Sequence, residues 1–296
     1  KKPGRSHLIN ILLYVALSVL LFYILKRLLY NYNILFPYLV TLVFMAHPVH
    51  TEVVASLKNR DEMMAFLCGL GTLWSILNYA DTKKIRYLAL APLLFLTGYL
   101  CKSSILPFLI LIPLVLVFFN RMPVKKVAPV FIVLLVVALI AQMGPNLFLP
   151  SAERIKSYIE NPLYLEKSPW IRTGTGLVSL LFYLRILLYP YPLLYYYGFD
   201  MIPVTGPGHI LALLSLLIHV VIFVYALRNF RERKILSFAI LWYLFAIAMY
   251  SNVLFPVVGI VGERFVFTAS LGFAIALVFF MFKIFRTEPG SLTIEL

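Results

Sequence analysis

The run His47-Pro-Val-His50-Thr-Glu52-Val-Val-Ala-Ser-Leu-Lys58-Asn-Arg60-Asp61-Glu62 sets seven ionisable side chains between two apolar stretches, 34–46 and 63–79. Ionised groups are expensive inside hydrocarbon, so such a knot is either an interfacial turn or the lining of a wet cavity. His47 and His50, three apart, would share one face of a helix, and Glu52 could join them as a metal ligand. Pro48 between them and the lack of an HExxH pattern make zinc a poor fit. Hydrogen-bonding or phosphate-binding histidines at a membrane mouth, or passive turn residues, are the remaining readings. Lys58 to Glu62 form either a solvated helix start, whose acids suit the helix dipole, or a site. In the second reading Arg60 pairs with an acid such as Glu52, Asp61 stands beside it, and Lys58 or Arg60 meets an anion.

Three further places carry polar chemistry. Lys102, in Cys101-Lys-Ser-Ser104 between two apolar runs, either snorkels or attracts a phosphate together with Ser103, Ser104 and the amides of the helix they would begin. Glu263-Arg264 follows a loop rich in Gly and Pro; adjacent opposite charges point different ways on a helix, so each needs its own partner, either structural or a ligand. Arg185, inside an apolar stretch, is expected to be buried in a wet or protein-lined setting. Cys68 and Cys101 lie in or at the end of apolar segments and read as small core residues. No Gly-rich nucleotide loop and no Ser-His-Asp spacing stands out.

The elements that must position these residues follow from composition. Of 296 residues 62% are hydrophobic and 13% charged, with a mean hydropathy of +0.94. A soluble domain would carry about a quarter charged residues, so the chain is a polytopic membrane protein. Its apolar runs are long and unbroken where barrel strands would alternate, which selects helices. The expected fold is therefore all-α, a polytopic membrane helical bundle. Its segments are 8–25, 34–46, 63–79, 87–100, 105–119, 127–143, 174–189, 209–227, 235–251 and 265–282. That makes 9–10 membrane helices plus one re-entrant or interfacial element within a single transmembrane domain, 1–296.

The net charge of +14 sits in short clusters between apolar runs, which is the pattern of topology signals and not of nucleic-acid binding. Lys26/Arg27, Lys83/Lys84/Arg86, Arg121/Lys125/Lys126, Arg228/Arg231/Arg233/Lys234 and Lys283/Arg286 would share the cytoplasmic face with the acids Asp81, Glu232, Glu288 and Glu295. The opposite face then receives 47–62, Lys102, the hydrophilic loop 144–173, 189–208 and 251–264. Within that loop, 151–160 reads as a short surface helix ended by Asn161-Pro162. Parity leaves one segment too many. The run 174–189, followed by Pro190, Pro192 and the tyrosines 189, 191, 195, 196 and 197, is expected to dip in and return or to lie in the headgroup layer.

Several pieces together resemble the membrane half of the transmembrane-and-TPR O-mannosyltransferases and their bacterial relatives, within the GT-C superfamily of polyprenyl-phosphate-sugar glycosyltransferases. The most specific is His47-Pro-Val-His-Thr-Glu52 followed by Arg60-Asp61. The stretch Ser6-His7-Leu-Ile-Asn-Ile-Leu-Leu-Tyr, the Lys102 turn, Glu160-Asn-Pro162 before Arg172, and Gly262-Glu263-Arg264 before a final helix occur in the expected order. The resemblance covers most of the chain and points to a bacterial relative without the TPR part. It implies a GT-C-like bundle that moves a sugar, mannose first, from a polyprenyl phosphate to an extracytoplasmic acceptor such as a protein Ser or Thr, or a glycan. It implies substrate-binding roles for His47, His50, Glu52, Arg60, Asp61, Lys102, Arg172, Glu263 and Arg264. The lipid-phosphate sugar is a substrate, no cofactor is implied, and a divalent metal is left open. Partners would be the lipid-linked sugar, the acceptor and other membrane subunits, with no nucleic acid. The site would face outward from a bacterial plasma membrane in preference to the endoplasmic reticulum.

Two departures qualify it. The essential acid of GT-C enzymes belongs to a first extracytoplasmic loop, here expected before Lys1 together with a preceding helix, and Ser103 stands where an acid is expected after Lys102. The chain is thus either a piece whose base precedes it or a relative that has lost catalysis. The competing class is a non-catalytic membrane subunit or lipid transporter.

Overall fold

The structure, a computed structural model, describes residues 3–148, 157–194, 197 and 200–285. Among these residues every regular element is helical: eleven α-helices, with four short 3-10 turns between them. The chain forms two compact units.

The first unit is built from the described parts of Lys1–His47, Val53–Ser151 and Ala274–Leu296. It contains α1 (Pro3–Leu28), α2 (Leu35–Ala46), most of α3 (Thr51–Ala55), α4 (Arg60–Thr82), α5 (Ile85–Cys101), α6 (Phe108–Phe118) and α7 (Val124–Phe148). Helix α1 is uninterrupted because Pro3 and Gly4 sit at its start, where a missing amide costs nothing, and no other Pro or Gly follows. Its basic end is tied to α4: Arg27 donates to the Leu77 carbonyl at 2.6 Å and pairs with Asp81 at 2.5 Å. Phe44, Phe66 and Phe108 form an aromatic column through α2, α4 and α6, with centroids 5.7 Å apart at each step. Gly98 lets α5 close on α4; a Cβ there would lie 2.7 Å from Cys68 Cβ.

The second unit is built from Pro48–Glu52 and the described parts of Ala152–Phe273. It holds α8 (Pro169–Leu188), α9 (Ile210–Arg228), α10 (Ile235–Ala248) and the first turn of α11 (Ser270–Ile284). Helix α8 starts on a proper cap, with the Ser168 hydroxyl accepting from the Ile171 amide and Pro169 at the first helical position. Two of its glycines meet backbone directly. A Cβ on Gly174 would lie 2.3 Å from the Thr205 carbonyl oxygen, and one on Gly176 2.6 Å from that of Ser251.

Among the described residues five helices are long and apolar enough to cross a membrane: Gly4–Leu28, Arg60–Thr82, Val124–Gly144, Pro169–Leu188 and Ile210–Arg228. A sixth span results if Leu35–Ala46 and Pro48–Ala55, bent by 54°, count as one. Every apolar run expected from the sequence carries a helix, and the chain is a multi-pass, all-helical membrane protein.

The details differ in three places. The run expected to begin at 174 and to dip begins at Pro169, because Ser168 caps it, and its 20 residues suffice to cross; the sharp break in an apolar run falls at His47. Arg185 is exposed, not buried, and donates to the Tyr191 carbonyl at 3.1 Å. Of the expected surface helix 151–160, residues 151–156 lie outside the described residues and 158–160 form a turn. Tyr195, Tyr196, Arg286, Glu288 and Glu295 also lie outside them.

Candidate functional site

The sequence-derived site residues fall into two clusters, one in each unit. In the second unit a 3-10 turn, Glu263–Val266, presents Glu263 and Arg264. The loop before it is pinned from within. Asn252 accepts from the Val257 amide at 2.9 Å and donates to the Ile260 carbonyl at 2.6 Å, while Asn161 donates to Asn252 Oδ1 at 3.0 Å and to the Val257 carbonyl at 2.8 Å. The loop contains three left-handed residues, Asn252 (φ 61), Gly259 (φ 87) and Ile260 (φ 38). For a β-branched residue that conformation is unfavourable and persists only where surrounding bonds over-determine it.

Arg264 is held at two points by one carboxylate. Its Nη1 donates to Glu52 Oε1 at 2.7 Å, and its own backbone amide donates to Glu52 Oε2 at 2.9 Å. The guanidinium also lies 4.6 Å over the Phe265 ring, and 23% of the side chain remains exposed. Glu263 faces elsewhere, as adjacent residues on a turn must. It is 3% exposed and accepts from the Tyr197 hydroxyl at 2.8 Å, which in turn accepts from the Leu194 amide at 3.1 Å. Burial pushes the Glu263 carboxyl above the ordinary carboxylate range and the nearby Glu52 charge adds to this, while the Tyr197 and Leu194 hydrogen bonds oppose it. Burial likewise raises the Tyr197 phenol.

His50 bonds through Nε2 to Ser270 Oγ at 2.8 Å, and that hydroxyl donates to the Phe267 carbonyl at 2.7 Å. The ring stacks at a tilt on Phe267, with centroids 4.6 Å apart. The Tyr183 hydroxyl is buried among Gly262, Arg264 and Glu52 without a well-oriented hydrogen bond. Arg172, in the first turn of α8, has a buried Nε with no hydrogen-bond partner among the described residues.

In the first unit the charged groups are arranged differently. Arg60 Nε donates to Asn10 Oδ1 at 2.7 Å and Nη2 to the Ser6 carbonyl at 2.9 Å. Asn10, wholly buried in α1, passes the chain on to the Val54 and Ser56 carbonyls. Lys102 Nζ lies 3.1 Å from Asp61 Oδ1 and 3.1 Å from Glu62 Oε1. Glu62 is 3% exposed, and beyond that ion pair its Oε1 finds no well-oriented hydrogen bond; the buried Ser104 hydroxyl near it lacks one too. One ammonium thus faces two carboxylates. Ser103 and Ser104 belong to a 3-10 turn, Ser103–Ile105, not to the first turn of a helix. His47 is the half-buried residue closing α2, its amide bonded to the Phe44 carbonyl at 3.4 Å.

Within its unit Glu52 serves Arg264, and within the other Arg60 bonds the neutral oxygens of Asn10 and Ser6. Residues that the sequence did not single out complete both clusters. Ser270 was visible only as a lone polar residue in an apolar run, Asn10 as one position of the Ser6–Tyr14 stretch, and Tyr197 and Glu62 as members of larger polar stretches.

No protein-family model matches the chain, and no solved structure matches it significantly. Over 210 residues, 68% of its length, the chain is 29% identical to Protein O-mannosyl-transferase Tmtc2 of Drosophila melanogaster. It spans about a fifth of that protein, 22% of its length. What the two clusters belong to is thus a multi-pass helical chain distantly similar to a protein O-mannosyl-transferase.

Proposed function

We propose that the chain is the membrane part of a glycosyltransferase of the GT-C kind that moves a sugar, mannose first, from a polyprenyl phosphate to a hydroxyl on the extracytoplasmic side of a bacterial plasma membrane. The observation that carries this reading is the likeness to Protein O-mannosyl-transferase Tmtc2. The Glu52–Arg264 arrangement supports it. A guanidinium fixed by a carboxylate and still partly exposed can meet a phosphate without reorganising, which is what a leaving phosphate requires. In the reaction the bond between the sugar's anomeric carbon and the phosphate oxygen breaks, a bond to the acceptor oxygen forms, and the acceptor's proton passes to a base. Arg264 and Arg172 are the phosphate-side residues of this reading. His50, Glu52 and Glu263 hold the second-unit cluster in place. Acceptors are Ser or Thr hydroxyls of proteins or a glycan.

The test is transfer of labelled mannose from polyprenyl-phosphate mannose to a Ser/Thr-rich peptide by the full-length protein that carries this chain. Transfer is expected, falling by about a hundredfold in Arg264→Lys, which keeps the charge but loses the fork that grips two oxygens. Full turnover in that variant would remove the assignment. The second reading, a non-catalytic subunit or lipid transporter, draws on Arg60 and Lys102, each of which already makes two contacts to the protein's own oxygens. It is the outcome if the lipid is bound and never consumed.

A further inference from the structure

A groove of about 320 Å³ runs between α1 and α2. Its walls are Val15, Val19, Phe22 and Tyr23 of α1 and Tyr38, Leu42 and Met45 of α2, and its floor is Ser18 and Thr41. The two floor hydroxyls ask nothing of an occupant. Ser18 Oγ donates to the Tyr14 carbonyl at 2.7 Å and Thr41 Oγ1 to that of Pro37 at 2.9 Å, each one turn back in its own helix. A cleft lined this way has no use for water or sugar and suits hydrocarbon. Its volume is at the lower end of ordinary ligand sites, about 300–1,000 Å³.

Charge says which hydrocarbon. Positions 15, 19, 22, 23 and 26 recur at helical spacing, so Lys26 continues the groove's own face of α1 by one turn. Lys26 is exposed and, among the described residues, has no acidic partner, whereas its neighbour Arg27 is neutralised by Asp81 at 2.5 Å. The exposed rings of Tyr23 and Tyr38 flank the same end, where aromatic side chains suit the headgroup level.

We propose that this groove is a binding site for an anionic phospholipid, one acyl chain lying over Ser18 and Thr41 and the phosphate at Lys26. The site is independent of the glycosyltransferase reading. Native mass spectrometry of the purified full chain with phosphatidylglycerol and with phosphatidylcholine of identical acyl chains tests it. Phosphatidylglycerol is expected to bind about fivefold more tightly, the effect of one lysine near a lipid surface, and Lys26→Gln to erase that preference. Val19→Trp, an exposed position on the groove wall, is expected to abolish retention of both lipids, while Lys125→Gln, an exposed lysine elsewhere, changes nothing. Equal binding of the two lipids, a preference that survives Lys26→Gln, or retention that survives Val19→Trp would each overturn the proposal. So would light scattering that finds a dimer split by Val19→Trp, since the occupant would then be a second copy of the chain.

Discussion

The two charged clusters are built from the same residue types and balance them in opposite ways. Around Arg264 a single carboxylate serves one cation twice, through its side chain and its backbone amide. Around Lys102 a single ammonium is divided between Asp61 and Glu62. The first arrangement neutralises its cation and fixes its direction, so it suits an anion that arrives from outside. The second carries an excess carboxylate, so it suits a group that gives up a proton, and a phosphate there would have to displace two acids first.

Substitutions can break or sharpen this contrast. The largest effect is expected for Glu52→Gln, which leaves a mostly buried guanidinium without its counter-charge and only one acceptor oxygen for the Arg264 side chain and amide; unfolding in detergent should show a loss of about 3 kcal/mol. Adding Arg264→Met to that variant should recover most of it, because a buried pair replaced on both sides is nearly neutral. Next comes Lys102→Met, which leaves Asp61 and Glu62 facing each other, with an expected loss of about 2 kcal/mol by the same assay. Asp61→Asn should cost about 1 kcal/mol or less, since Asp61 is 37% exposed and Lys102 keeps Glu62. If Asp61→Asn proved as damaging as Glu52→Gln, the two clusters would be equivalent and the contrast would fail.

The smallest effect is one of pH. Because burial raises the Glu263 carboxyl, the folded protein binds a proton there more tightly than the unfolded chain. The stability this contributes is complete below the ordinary carboxylate range and is lost as pH rises from that range through the raised value. Melting of the parent protein should therefore fall relative to Glu263→Gln across that window. Tyr197→Phe should move the window upward, since the phenol donates to the ionised form.

The sequence made the helices legible and the partnerships much less so. Apolar runs this long and unbroken fold as helices, and each of them carries one; among the described residues five are long and apolar enough to cross a membrane. The knot from His47 to Glu62 was visible as the polar centre of the chain, but its division was not. Glu52 reaches a residue 212 positions away, and no local spacing distinguishes that partner from Arg60, which lies only eight residues on and fits the same chemistry. Arg60 settles on Asn10 and a carbonyl because a buried asparagine in α1 supplies a neutral acceptor. The Lys102 turn misled in a related way: Ser103 and Ser104 look like the opening of an α-helix, yet they open a short 3-10 turn, with the Ser104 hydroxyl near Glu62.

The bare backbone of α8 has an influence that reaches beyond its own helix. Gly176 presses on the Ser251 carbonyl, and Ser251 adjoins Asn252, the residue from which the whole Glu263–Arg264 loop is hung. One methyl group added there would lever the loop at its hinge and misaim the guanidinium with every charged atom still present. A position with no side chain thus sets the bearing of the most exposed charge in that cluster.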